Sequence, residues 1–211
     1  MSRLIVASLV VGMFQIASVA GAAPQEHEHE STAASAAATL RQNMRELWSD
    51  HVIWTREYIV AALADQPDQQ AAANRLMKNQ EDIGAAVAAY YGQAAGARLT
   101  ELLKSHISIA VDLIKAAKAG NAAAQQQADR EWHRNAEDIA DFLSNANPNW
   151  PRATLVAMMN AHLSTTTDEV VARLTKNWDQ DVRAFDAVYR HILTMSDALS
   201  DGIIKQFPNR F

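Results

Sequence analysis

An apolar helical stripe interrupted by one polar side chain recurs along this chain about every 56 residues, and this recurrence is the strongest constraint on its fold. Leu99, Leu103, His106, Ala110, Leu113 and Ala117 are spaced 4, 3, 4, 3 and 4 apart, so they share one face of a helix. Met44, Leu47, His51, Trp54 and Tyr58 form a similar stripe, as do Leu155, Met159, His162, Thr166 and Val170. The three histidines, His51, His106 and His162, therefore stand at a nearly constant interval. The segments between them repeat as well. KNQEDIGAAV (78–87) aligns with RNAEDIADFL (134–143) at that same offset. This alignment pairs Asn79 with Asn135, and one further step of the repeat leads to His191, between Val188 and Met195.

Helix breakers are widely spaced: DQPDQ (65–69), YGQAAGA (91–97), KAGN (118–121), NANPNWP (145–151) and KNWDQD (176–181). Between them the chain is rich in Ala, Leu, Gln, Glu and Arg, with no alternating strand pattern. The expected class is all-α: one bundle of three tandem helical hairpins, about six helices, spanning residues 40–211, with an internal pseudo-repeat of about 56 residues.

The N-terminus reads differently. Arg3, the apolar run LIVASLVVGMFQIASVA and the small residues AGA (20–22) predict a cleaved signal peptide over 1–22, and hence a periplasmic or secreted protein. Residues 23–39 carry Glu, His, Ala and Ser without an apolar stripe and read as a flexible leader, in which EHEHE could capture metal. The membrane is expected to be touched only through the signal sequence. The chain has no cysteine, which excludes disulfides, thiolate metal sites and cysteine nucleophiles. A net charge of -5 argues against nucleic acid, because nothing neutralises a phosphate backbone.

Six positions, His51, Asn79, His106, Asn135, His162 and His191, place polar groups where the periodicity places core. A buried imidazole or amide without a partner costs about 1–3 kcal/mol. These six must therefore bond one another, water or a ligand. Imidazole suits zinc, copper, nickel and iron, and helical bundles present such ligands from facing helices. The candidate metal ligands are His51, His106, His162 and His191, edged by Asp82 and Asp138, each one helical turn after Asn79 or Asn135. Haem bound axially by two of the histidines is a weaker variant.

Two other readings compete. The layer could be structural, choosing helix partners in an envelope interaction protein, with Thr55 and Thr166 as hydrogen-bond partners of His51 and His162. It could also serve a metal-dependent oxidoreductase, but from Leu40 onward no nucleophile elbow, Glu-x-x-His or His-Glu-x-x-His motif is present, so the preferred reading is a non-catalytic binder of a metal or small ligand. Glu57, Asp112, Asp168 and Asp197 each follow a layer histidine by six positions, about 240° round the helix, and read as solvated charges. Asp129 and His133 could chelate at a spacing of four but read as a solvated face, and the tryptophans read mostly as core or helix-end packing.

At LWSDHVIWTREYI, NANPNW and DGIIKQFPNRF the sequence resembles a bacterial family of small all-helical proteins of unassigned function, over nearly everything from Leu40 to the end. The resemblance implies histidines at the positions of His51, His106 and His162 and variability at His191. It implies no activity.

Overall fold

The computed structural model describes the chain from Gln25 to Phe211, and its side chains from residue 36 onward. The expected signal segment lies outside the described residues. Six helices follow one another: α1 (Gln25–Leu63), α2 (Gln69–Tyr91), α3 (Gln93–Lys118), α4 (Ala122–Ala146), α5 (Arg152–Leu174) and α6 (Trp178–Gln206), with a closing 3-10 turn at Pro208–Arg210. The described residues contain no strand, so the all-α bundle is the observed class. No described helix is long and apolar enough to cross a membrane.

The helix ends fall in the segments that carry the breakers, each for a local reason. Gly92 alone separates α2 from α3, with φ 88° and ψ 162°, a region that essentially only glycine adopts. Asn121 and Asn177 cap α4 and α6, each accepting a hydrogen bond at its side-chain oxygen from a backbone N–H one turn on. At the N-terminus the structure departs from expectation. Residues 25–39, read as a flexible leader, continue α1 as helix. Ala and Glu are strong helix formers even without an apolar face, and α1 is already nucleated and packed further along.

Each helix packs on its neighbours in sequence and α6 returns to α1, closing a ring. The first helix also touches α3 and α5. Inside lie two separate apolar clusters. The larger includes Met44, Trp48, Val52, Ile83, Leu103, Ile139, Leu163 and Ile192. The smaller is built from Tyr58, Ile59, Ala62, Ala72, Ile114 and Val170. Fully buried members such as Ile59, Ile83 and Ile192 each stabilise the fold by about 1.5–3 kcal/mol. Along α1, α3 and α5 the buried histidine falls between the first larger-cluster residues and those of the smaller cluster, with Val52, Leu113 and Leu163 of the larger cluster beyond it.

The α2–α3 hairpin closes unusually tightly. A Cβ on Gly84 would fall 2.7 Å from the Gly96 carbonyl oxygen and against Thr100 Oγ1, so only glycine lets these backbones approach.

Candidate functional site

The odd-numbered helices bring their histidines together. His51 from α1, His106 from α3 and His162 from α5 are all buried. The His162 ring lies 5.6 Å from that of His51 and 6.2 Å from that of His106, centroid to centroid. His191 from α6 stacks on His162 at 6.2 Å and is only half-buried. Trp48 packs edge-on to His51, and Trp132 lies 5.2 Å from His106. Both indoles line the layer, with buried Nε1 groups that have no partner.

The even-numbered helices supply the polar groups that pin this layer, and they do so in one way. Asn79 Nδ2 donates to the Leu47 carbonyl, Asn135 Nδ2 to the Leu102 carbonyl and His191 Nε2 to the Met158 carbonyl, at 2.9, 3.1 and 2.9 Å. In each case the acceptor lies one helical turn before a layer histidine. The polar residues on the second helices are thus bonded across the hairpin to backbone.

The imidazole bonds differ from ring to ring. His106 Nδ1 lies 2.7 Å from Asn135 Oδ1. Because Asn135 spends its amide nitrogen on Leu102, its oxygen faces the ring, so His106 Nδ1 carries the proton and Nε2 presents a lone pair. His106 Nε2 is buried and unpaired, as is His162 Nδ1. His51 Nδ1 instead faces the amide nitrogen of Gln80, at 3.3 Å. Gln80 is fully buried and was not among the residues singled out from sequence. Its signal was the spacing of Leu76, Gln80, Ile83 and Val87 along one stripe.

A cavity of about 20 Å³ opens beside the rings, lined by His51, His106, His162, Thr55, Thr166 and Val170 among others. That is room for about one water molecule or a bare ion. Burial keeps the imidazoles neutral. Desolvation, helped by the neighbouring His106, drives His51 down to about 3. Desolvation also takes His106 down to about 4, and it holds His162, crowded by the other three rings, well below the ordinary histidine value. All three are therefore uncharged bases at neutral pH.

Several expected members lie elsewhere. Asp82 pairs with Lys78 on the surface and Asp138 is exposed in a groove that Arg134 and Asn135 also line, and neither carboxylate lines the histidine cavity. Three positions on from an inward amide, a side chain has already turned about 60° toward solvent. Thr55 and Thr166 bond the backbone carbonyls of His51 and His162 rather than their rings, the usual i−4 bond of a helical threonine. His133 is exposed, its Nδ1 donating to the Asp129 carbonyl. Trp178 is 54% exposed, although Trp48, Trp132 and Trp150 are core. Glu57, Asp112 and Asp168 are exposed, and Asp197 pairs with Arg45 at 2.6 Å. The side chains of the EHEHE segment lie outside those described.

Beyond the cavity sits a second cluster, which the sequence reading missed. Arg56 Nη1 donates to Glu169 at 2.6 Å and Arg56 Nη2 to Asp181 at 3.0 Å, while Arg173 reaches Asp181 at 2.8 Å. Both carboxylates are buried. Burial pushes Glu169 up to about 7 against the pull of Arg56. For Asp181 burial also pushes up, but two guanidinium partners outweigh it and hold the group below its usual value. The cluster ties α1, α5 and α6 together and contributes nothing to the histidine cavity.

Among the described residues, no group of three or more His, Cys, Asp or Glu side chains is already placed to hold a metal ion. Comparison of the chain with protein-family models, curated proteins and solved structures finds no match.

Proposed function

We propose that this is an exported, non-catalytic protein that takes up a single transition-metal ion in the histidine layer. The observation that carries the reading is the pair of buried, unpaired imidazole nitrogens, His106 Nε2 and His162 Nδ1, beside a cavity of ionic size. Leaving them without a partner costs about 1–3 kcal/mol each, so a bound ion has something to offset. The rings are uncharged at neutral pH, so an ion competes with no imidazolium proton. Asn135, anchored on Leu102, orients His106 as an outer-shell partner orients a ligating imidazole. An all-imidazole donor set selects zinc, copper, nickel or iron over calcium or magnesium. Because no carboxylate offsets the charge, an ion of low charge is the least costly to bury. The space between the rings is far too small for haem.

A second reading is that the layer only sets helix pairing, as in an interaction protein of the cell envelope. The three side-chain bonds to Leu47, Leu102 and Met158 favour it, because each fixes the register of one hairpin. So does the lack of a ready-made ligand group among the described residues.

Equilibrium dialysis of the tag-free chain against zinc, nickel and cuprous ions separates the two. One equivalent that disappears in His106→Ala/His162→Ala and persists in His27→Ala/His29→Ala supports metal uptake by the layer. The reverse pattern moves binding to the N-terminal segment. No uptake at all leaves the structural role.

A further inference from the structure

We infer that Gln80 is a positioning residue that locks His51 as the hydrogen-bond donor of the layer, leaving the lone pairs to His106 and His162. The inference rests on the metal reading for its consequence, but not for its geometry.

The orientation of the Gln80 amide is fixed independently of the histidine. Its Nε2 lies 2.8 Å from the Leu76 carbonyl oxygen and 3.2 Å from Asn79 Oδ1. Turning the amide over would set its oxygen against two oxygens. Asn79 is fixed in turn, because its own nitrogen is spent on the Leu47 carbonyl. The Gln80 nitrogen shares its two hydrogens among three acceptors and has no lone pair to accept with, so the His51 Nδ1 that faces it at 3.3 Å is the lone-pair nitrogen. A neutral imidazole with Nδ1 bare carries its proton on Nε2. His106 is set the opposite way, since there an amide oxygen faces Nδ1. Two rings of one layer are thus held in opposite tautomers by two amides of opposite polarity.

The lock belongs to the first hairpin alone. The repeat pairs Gln80 with Ala136, and in that second hairpin Asn135 bonds both the carbonyl and the ring. In the first hairpin the two tasks are divided between Asn79 and Gln80. The Gln80 oxygen is buried without a partner, so the side chain is held through its nitrogen only. With Nδ1 engaged and Nε2 protonated, His51 has no lone pair to offer an ion. Its N–H is available to donate to a water or anion that completes the shell.

Long-range 1H–15N spectra of the metal-free protein test the lock directly. The expected result is protonated Nε2 at His51 and protonated Nδ1 at His106. Gln80→Met keeps the volume and removes the donor, and should move His51 toward the Nδ1–H form. Nδ1–H at His51 in the wild type, or no change in the variant, overturns the inference. If the variant does not fold, the wild-type spectrum alone decides. A Zn2+ titration tests the consequence: His106→Ala should weaken binding by at least about tenfold, as losing a ligand or its support does, and His51→Ala by less than about threefold. An equal loss in both makes His51 a ligand and overturns the inference. If neither Zn2+ nor cuprous ion binds to any of the proteins, the metal reading falls while the spectra still judge Gln80.

Discussion

Lowering the pH should destabilise this protein with a steepness set by its three buried imidazoles. Their folded values lie near 3 for His51, near 4 for His106 and well below the ordinary value for His162, against 6.5 in the unfolded chain. A base with a depressed folded value contributes stability that is complete above 6.5 and is lost as pH falls toward the folded value. Each proton held only by the unfolded chain removes about 1.36 kcal/mol per pH unit, so three give a limiting slope of about 4. Glu169 works in the opposite sense. Its carboxyl, raised to about 7 from 4.5, takes a proton in the folded state first, and so adds stability as pH falls through that window. The net is two protons, a limiting slope of about 2.7 kcal/mol per pH unit and a loss of about 3 kcal/mol from pH 6.5 to 5. Against a typical total of about 5–15 kcal/mol, that loss is large. Urea titrations at half-unit pH steps measure it. Glu169→Gln removes the opposing group and should steepen the limit to about 4 kcal/mol per unit. A wild-type slope worth less than one proton would show that the imidazoles accept protons inside the fold, and would refute the account of the layer as sealed.

Other perturbations probe the supports. Asn135→Ala strands His106 Nδ1 and removes the second bond to the Leu102 carbonyl, and should cost about 1–3 kcal/mol by chemical denaturation. Arg56→Met removes the guanidinium that faces both buried carboxylates and should cost about 3–5 kcal/mol at pH 8, and less at pH 5, where Glu169 is protonated. Gly84→Ala drives a methyl into Thr100 and the Gly96 carbonyl and should lower stability by about 1–3 kcal/mol in thermal melts.

The helical pattern carried the larger features into view. Spacings of three and four placed His51, His106 and His162 inside, and the breakers located the helix junctions, because both signals are local. What the spacing could not carry was the direction of each hydrogen bond. Asn79 and Asn135 were legible as inward residues, but their bonds to carbonyls one turn before a histidine depend on how two helices dock. Gln80 shares a stripe with Leu76 and Ile83, yet a glutamine beside an asparagine reads as the edge of a polar face. Glu169 falls one turn after Thr166 and so carried a signal of burial, but its neighbours Arg56 and Asp181 stand on two other helices, α1 and α6. Asp82 and Asp138 stay out of the histidine cavity, because sharing part of a face with an inward asparagine does not bring a short carboxylate into the core.

X-ray absorption at the metal edge of dialysed, zinc-loaded protein addresses the central claim most directly. The account predicts nitrogen neighbours at about 2.0–2.1 Å with the outer-shell scattering of at least two imidazoles, lost when His106 and His162 are replaced. Metal that dialyses away, or a shell without imidazole that survives those replacements, would contradict it.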